Sequence, residues 1–144
     1  MRPFAEFRRE GVVRKHHPEL SKARSLVAEA EMRYAFLRDL QRNVKVTDLN
    51  ANYFSETAYD ILLELLRARL AKDGYKATGV SAHEAEVSYL RELGFAEPDV
   101  LSLDELRYWR NGILYYGKRV DAAYAKRAVL FLERIYPRLL KIAA

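Results

Sequence analysis

Residues 107–117 read RYWRNGILYYG, and this stretch gathers Arg107, Arg110 and Asn111 beside Tyr108, Trp109, Tyr115 and Tyr116. A guanidinium presents five donors in a planar fork that fits phosphate or carboxylate, and an aromatic ring can stack on a base. At about 100° per residue, Arg107, Asn111 and Tyr115 share one helical face, and Leu106, Trp109, Ile113 and Tyr116 form the adjoining apolar stripe. Arg110 falls at the edge of that stripe. It must find partners for its donors there, as a structural ion pair or as a seat for a phosphate. Trp109 and Tyr116 read either as core or as part of an interface.

Other chemistries find little support. The chain has no cysteine, so thiolate nucleophiles, disulfides and cysteine-based zinc sites are excluded. There is no Gly-rich phosphate loop, no His-Glu-x-x-His, no calcium-loop spacing and no helical Glu-x-x-His pair. The expectation is therefore no metal and no cofactor. His16 and His17 are adjacent in a basic segment, read as pointing in different directions into solvent, while His83 sits in a first helical turn where a neutral imidazole can pack or hydrogen-bond.

The elements that position these residues can be read from periodicity. With 144 residues the chain is one domain's worth, and a net charge of +5 with a pI near 9.4 permits an anionic partner such as RNA, DNA or a nucleotide. No apolar run has the length of a signal peptide or of a membrane span, which predicts a soluble, cytoplasmic protein. Residues 1–20 form a basic N-terminal arm, either a short helix or a mobile lead-in, and 21–144 form a single helical domain.

Apolar residues at three- and four-residue steps predict helices over about 21–42 and 52–73, the second facing inward through Phe54, Ala58, Ile61, Leu62, Leu65, Leu66 and Leu70. Gly74 supplies a left-handed stop. Ser81 and Glu84 have capping-box spacing at the head of a shorter helix ending at Gly94, where Phe95 can close a Schellman end, and "AEPD" reads as a loop. Ser102 and Glu105 repeat the capping-box spacing and open the helix that carries Arg110, with Gly117 as its terminator. A last helix over about 121–142 faces inward through Ala125, Val129, Leu132, Tyr136 and Leu139 and continues past Pro137. No segment alternates long enough for a strand. The fold class is all-α, an up-and-down-type bundle of four main helices plus one shorter helix.

Around Arg110 and Asn111 the sequence resembles the HEPN superfamily, small all-α domains of prokaryotic toxin–antitoxin pairs and RNA-processing systems. Its signature is an Arg, usually followed by a polar residue such as Asn, then a short spacer and a His. The segments "YFSETAYDILLELLRARLAKDG" and "SAHEAEVSYLRELGF" are placed like the family's second long helix and the shorter helix before the motif, so the resemblance spans residues 21–142. It implies a homodimer with facing motif helices, a minimal nucleotidyltransferase as partner, and metal-independent RNA cleavage in which Arg holds phosphate and His moves the proton. This chain has Tyr115 at the His position, and Gly117 where the family's modified Tyr stands.

A phenol titrates near pH ~10 and is a poor general base at neutral pH, whereas imidazole is poised. The resemblance thus implies binding of RNA or nucleotide phosphate through Arg107, Arg110, Asn111 and Tyr116. Arg110 and Tyr115 are then the candidate catalytic pair of a lost or altered ribonuclease. Two alternatives stand beside it: an active HEPN ribonuclease toxin, and a purely structural dimerising module whose Arg pairs with a carboxylate such as Asp104 or Asp121.

Overall fold

A computed structural model describes residues 1–144. The chain order is α1 (Phe4–Arg9), β1 (Val13–Lys15), α2 (Leu20–Asn43), α3 (Ala51–Asp73), β2 (Tyr75–Ala77), α4 (Ala82–Glu92), α5 (Glu97–Tyr116) and α6 (Ala122–Ala143). Helices dominate, and the protein is an all-α bundle with one small strand pair. No helix is long and apolar enough to cross a membrane.

The bundle is built around α3. Thirteen of its 23 residues are buried, which is why its apolar residues run nearly all round the helix and not along a single stripe. α2 and α6 cover it over most of its length, and α4 and α5 cover the remaining flank. Every inward residue expected on α3 is buried, as are Ala125, Val129, Leu132, Tyr136 and Leu139 on α6, which continues unbroken through Pro137.

The N-terminal segment packs onto the bundle. Of its two expected forms the short helix is the one present: Phe4 and Phe7 of α1 and Val13 of β1 are buried with Leu70, Ala85 and Tyr89 in a second, smaller core. The expectation of no strand is corrected here, because Val13–Lys15 pairs antiparallel with Tyr75–Ala77. Three residues per strand is too short for alternation to register in sequence. Gly74 joins α3 to β2 at φ +81°, and a Cβ there would stand 2.3 Å from the carbonyl oxygen of His16, so both conformation and space require glycine.

Two expected capping boxes do not form. Ser81 is the N-cap of α4, but its hydroxyl makes no cap hydrogen bond, and Glu84 turns toward Arg2. Ser102 lies inside α5, which starts five residues earlier at Glu97. The supposed loop "AEPD" is the real helix start: Ala96 is extended, Pro98 occupies the first turn where its missing N–H costs nothing, and Glu97 and Asp99 meet the positive end of the helix dipole. The C-terminal signals hold. Gly94 (φ +87°) and Gly117 (φ +63°) are left-handed, and Phe95 N–H donates to Leu90 O in the Schellman pattern.

Candidate functional site at the junction of α3, α4 and α5

α5 runs antiparallel to α3. Asn52 near the start of α3 bonds the backbone of Lys118 and Val120 just past the end of α5, while Asp60, two turns along α3, meets Arg110. This register brings the basic residues of α5 over the polar seam of α3.

Arg110 donates from Nε to Asp60 Oδ1 at 3.0 Å, and its guanidinium lies 5.6 Å from the ring centre of Tyr59. The expected carboxylates are otherwise engaged: Asp104 accepts from Arg107 Nε at 2.7 Å, one turn back on the same helix, and Asp121 caps α6 by accepting from the Tyr124 amide. In both arginines the protein takes only Nε. The four η N–H bonds of each guanidinium find no protein acceptor, and both side chains are partly exposed, at 22% for Arg110 and 20% for Arg107. A carboxylate behind Nε fixes the orientation of the fork while its outer edge stays available, which is the geometry of an anion seat.

The remaining motif residues divide. Asn111 is half-buried and its side chain makes no hydrogen bond within the chain. Trp109 packs against the core with its ring 5.8 Å from that of Tyr124, so its core reading holds. Tyr116 does not belong to the apolar stripe: it is 78% exposed, and Tyr115 is 73% exposed. The apolar stripe ends with the last turn of α5, because the chain leaves at Gly117 and no element covers that end. Tyr108 and Leu114 are exposed nearby. Gly112 allows the Lys118 stem to fold back over the helix, placing Nζ 5.4 Å from the Tyr108 ring centre.

His83 stands at the same junction. Arg67 of α3 grips Glu86 of α4 with Nε at 2.7 Å and Nη2 at 3.2 Å, and Nη2 also lies 3.1 Å from His83 Nε2. An arginine can only donate, so Nε2 is the acceptor and the proton of a neutral imidazole resides on Nδ1. Burial lowers the pKa of His83; Glu86 opposes this, while the positive charges of Arg67, Arg110 and Arg107 add to it. Tyr59, fully buried, lies among the same groups, and its hydroxyl has no hydrogen-bond partner. Burial pushes its pKa up strongly, with the charge of Glu86 adding to the shift. On the same α3 face Glu56 is also raised, first by burial and then by the like charge of Asp60.

His16 and His17 are both exposed, but their rings do not diverge as expected: the ring centres lie 4.1 Å apart, because His16 Nδ1 reaches the His17 carbonyl. Among His, Asp and Glu side chains no group of three or more is placed to hold a metal ion.

Sequence reasoning missed Tyr59, Asp60, Arg67 and Glu86. A signal was present, since Glu56, Asp60 and Arg67 recur at steps of four and seven and so share one face of the helix. A comparison of the chain with protein-family models, curated proteins and solved structures returned no match.

Proposed function

We propose that the protein is a HEPN-like domain that holds RNA or nucleotide phosphate through Arg110, with Arg107 and Asn111 beside it, and has lost metal-independent ribonuclease activity. The observation that carries this reading is that Asp60 and Asp104 hold Arg110 and Arg107 by Nε alone, leaving both outer edges open. The exposed rings of Tyr115 and Tyr116 are suited to stacking on unpaired bases. Binding of this kind needs no general base. The exposed Tyr108 and Leu114 leave an apolar patch on α5 that suits pairing with a second copy, which would double the basic face. The lack of cysteine suits a reducing, cytoplasmic setting, and the resemblance adds a minimal nucleotidyltransferase as partner.

The test incubates the protein in EDTA with labelled single-stranded and structured RNA, beside Arg110→Ala and Tyr115→His. The expected result is retardation without cleavage, lost in Arg110→Ala. Cutting gained in Tyr115→His supports the same reading. Cleavage by the native chain that disappears in Arg110→Ala favours the active ribonuclease instead.

One observation favours the structural alternative: the Arg110–Asp60 pair ties α5 to α3. On that reading Arg110→Ala lowers stability or breaks a dimer and leaves RNA retardation unchanged.

A further inference from the structure

The Arg110 seat is one end of a row. Because α5 is antiparallel to α3, moving back one turn on α5 from Arg110 to Arg107 moves toward the end of α3 where Arg67 stands, and Arg67 leads on to His83 of α4. The charges of Arg67, Arg107 and Arg110 all reach both His83 and the Tyr59 hydroxyl. Beyond His83 the row opens into a cavity of about 520 Å³ between α2, α3, β2 and α4, lined by Arg67, His83, Lys22 and Lys76 and by the acidic Glu19 and Glu86.

Each member of the row has a donor that the protein does not use. Arg110 and Arg107 keep their η nitrogens, Arg67 keeps Nη1 because Glu86 and His83 take only Nε and Nη2, and His83 keeps Nδ1–H. Carboxylates oppose them: Asp60, Asp104 and Glu86 each neutralise one arginine. Those oxygens engage the Nε side of the guanidinium, and Glu86 is buried. At the centre lies the unpartnered Tyr59 hydroxyl, a buried polar group of the kind that a bound ligand or ordered water ordinarily satisfies.

We infer that Arg110, Arg107, Arg67 and His83 form a continuous track for the sugar–phosphate backbone of a single-stranded oligonucleotide, with the Tyr59 hydroxyl at its floor and the adjoining cavity accepting the strand's end. A lone phosphate needs one fork. A row of separate forks along two helices offers more than one phosphate contact, as in grooves that track a strand. His83 contributes to this track as a neutral donor through Nδ1 and not as a general base, since its Nε2 lone pair is committed to Arg67. This inference rests on Arg110 holding phosphate and adds that the ligand is a strand longer than a mononucleotide.

The test measures binding of AMP and of a single-stranded penta-adenylate, across a range of salt concentrations, to the native protein and three variants. These are Arg110→Ala, His83→Gln, and the paired change Arg67→Gln with Glu86→Gln, which avoids leaving Glu86 buried without its partner. The expected result is a pentamer affinity at least about tenfold above that for AMP. His83→Gln and the paired variant should weaken the pentamer severalfold and leave AMP unchanged, the paired variant flattening the salt slope by about 0.7 per lost phosphate contact. Arg110→Ala should weaken both ligands. Equal affinity for AMP and pentamer, or pentamer binding indifferent to His83→Gln and to the paired variant, overturns the track while leaving the Arg110 seat intact. No binding of either ligand, or no effect of Arg110→Ala, removes both.

Discussion

Arg110 Nε lies 3.0 Å from Asp60 Oδ1, a contact that links α5 to α3 through Nε and leaves the η nitrogens of the guanidinium without a protein acceptor. Both side chains are partly exposed, so the pair is screened by water and contributes modestly, on the order of 1 kcal/mol or less. Arg110→Ala should therefore shift the urea midpoint only slightly while RNA retardation is lost. Asp60→Asn removes the competing carboxylate and should strengthen RNA binding. Weaker binding in Asp60→Asn would mean that the aspartate's orienting role outweighs its competition.

Tyr59→Phe separates ligand binding from folding. The Tyr59 hydroxyl is buried without a partner, so deleting it relieves a desolvation penalty of about 1 kcal/mol or more. Urea unfolding should show the variant as stable as the native protein or more so. Penta-adenylate affinity should nevertheless fall, because the bound strand would satisfy that hydroxyl. A loss of stability would show that the hydroxyl is hydrogen-bonded in the unliganded protein.

Gly74→Ala tests the attachment of the N-terminal segment. Its Cβ would meet the His16 carbonyl oxygen at 2.3 Å, and the position is left-handed, so strain and backbone displacement add. The hydrogen bond from His16 N–H to Gly74 O at 2.7 Å must shift as well. A destabilisation of about 2 kcal/mol or more is expected, read as a lower denaturant midpoint. Gly79→Ala is a partial control: it shares the positive φ but has open space around its Cβ, so it should cost less.

How far the sequence was legible follows from the range of each interaction. Repeating apolar steps on α3 and α6 report burial directly, so Phe54 through Leu70 and Ala125 through Leu139 were readable from spacing. Gly74, Gly94 and Gly117 were readable because a left-handed terminus has few substitutes. Ser81 and Ser102 misled because capping-box spacing specifies a possible bond, and whether it forms depends on where the helix starts. Pro98 set that start for α5. At the site, Arg107 and Asp104 are three apart and their pairing is local. Arg110 and Asp60 are 50 residues apart, and only the antiparallel packing of α5 on α3 brings them together. The same holds for Arg67 with Glu86 and His83, which depend on how α4 sits beside α3.

The pH dependence of stability should carry the signature of His83. Its pKa is lowered in the folded protein, chiefly by burial and further by Arg67 on α3 and by Arg107 and Arg110 on α5, with Glu86 on α4 opposing. A free histidine titrates near ~6.5, so below that pH the unfolded chain binds a proton that the folded one resists. Stability is then fully present above the unfolded value and falls as pH drops through it, levelling off below the folded value. Urea midpoints measured from pH 7.5 to 5 should decline in the native protein, and the decline should be smaller in His83→Gln. Imidazole resonances followed over the same range should show the Nδ1–H neutral form of His83 persisting to lower pH than in a free histidine. A His83 that protonates as a free histidine does would mean that Arg67 does not hold its Nε2, and its role as a neutral donor on the strand track would fall with that contact.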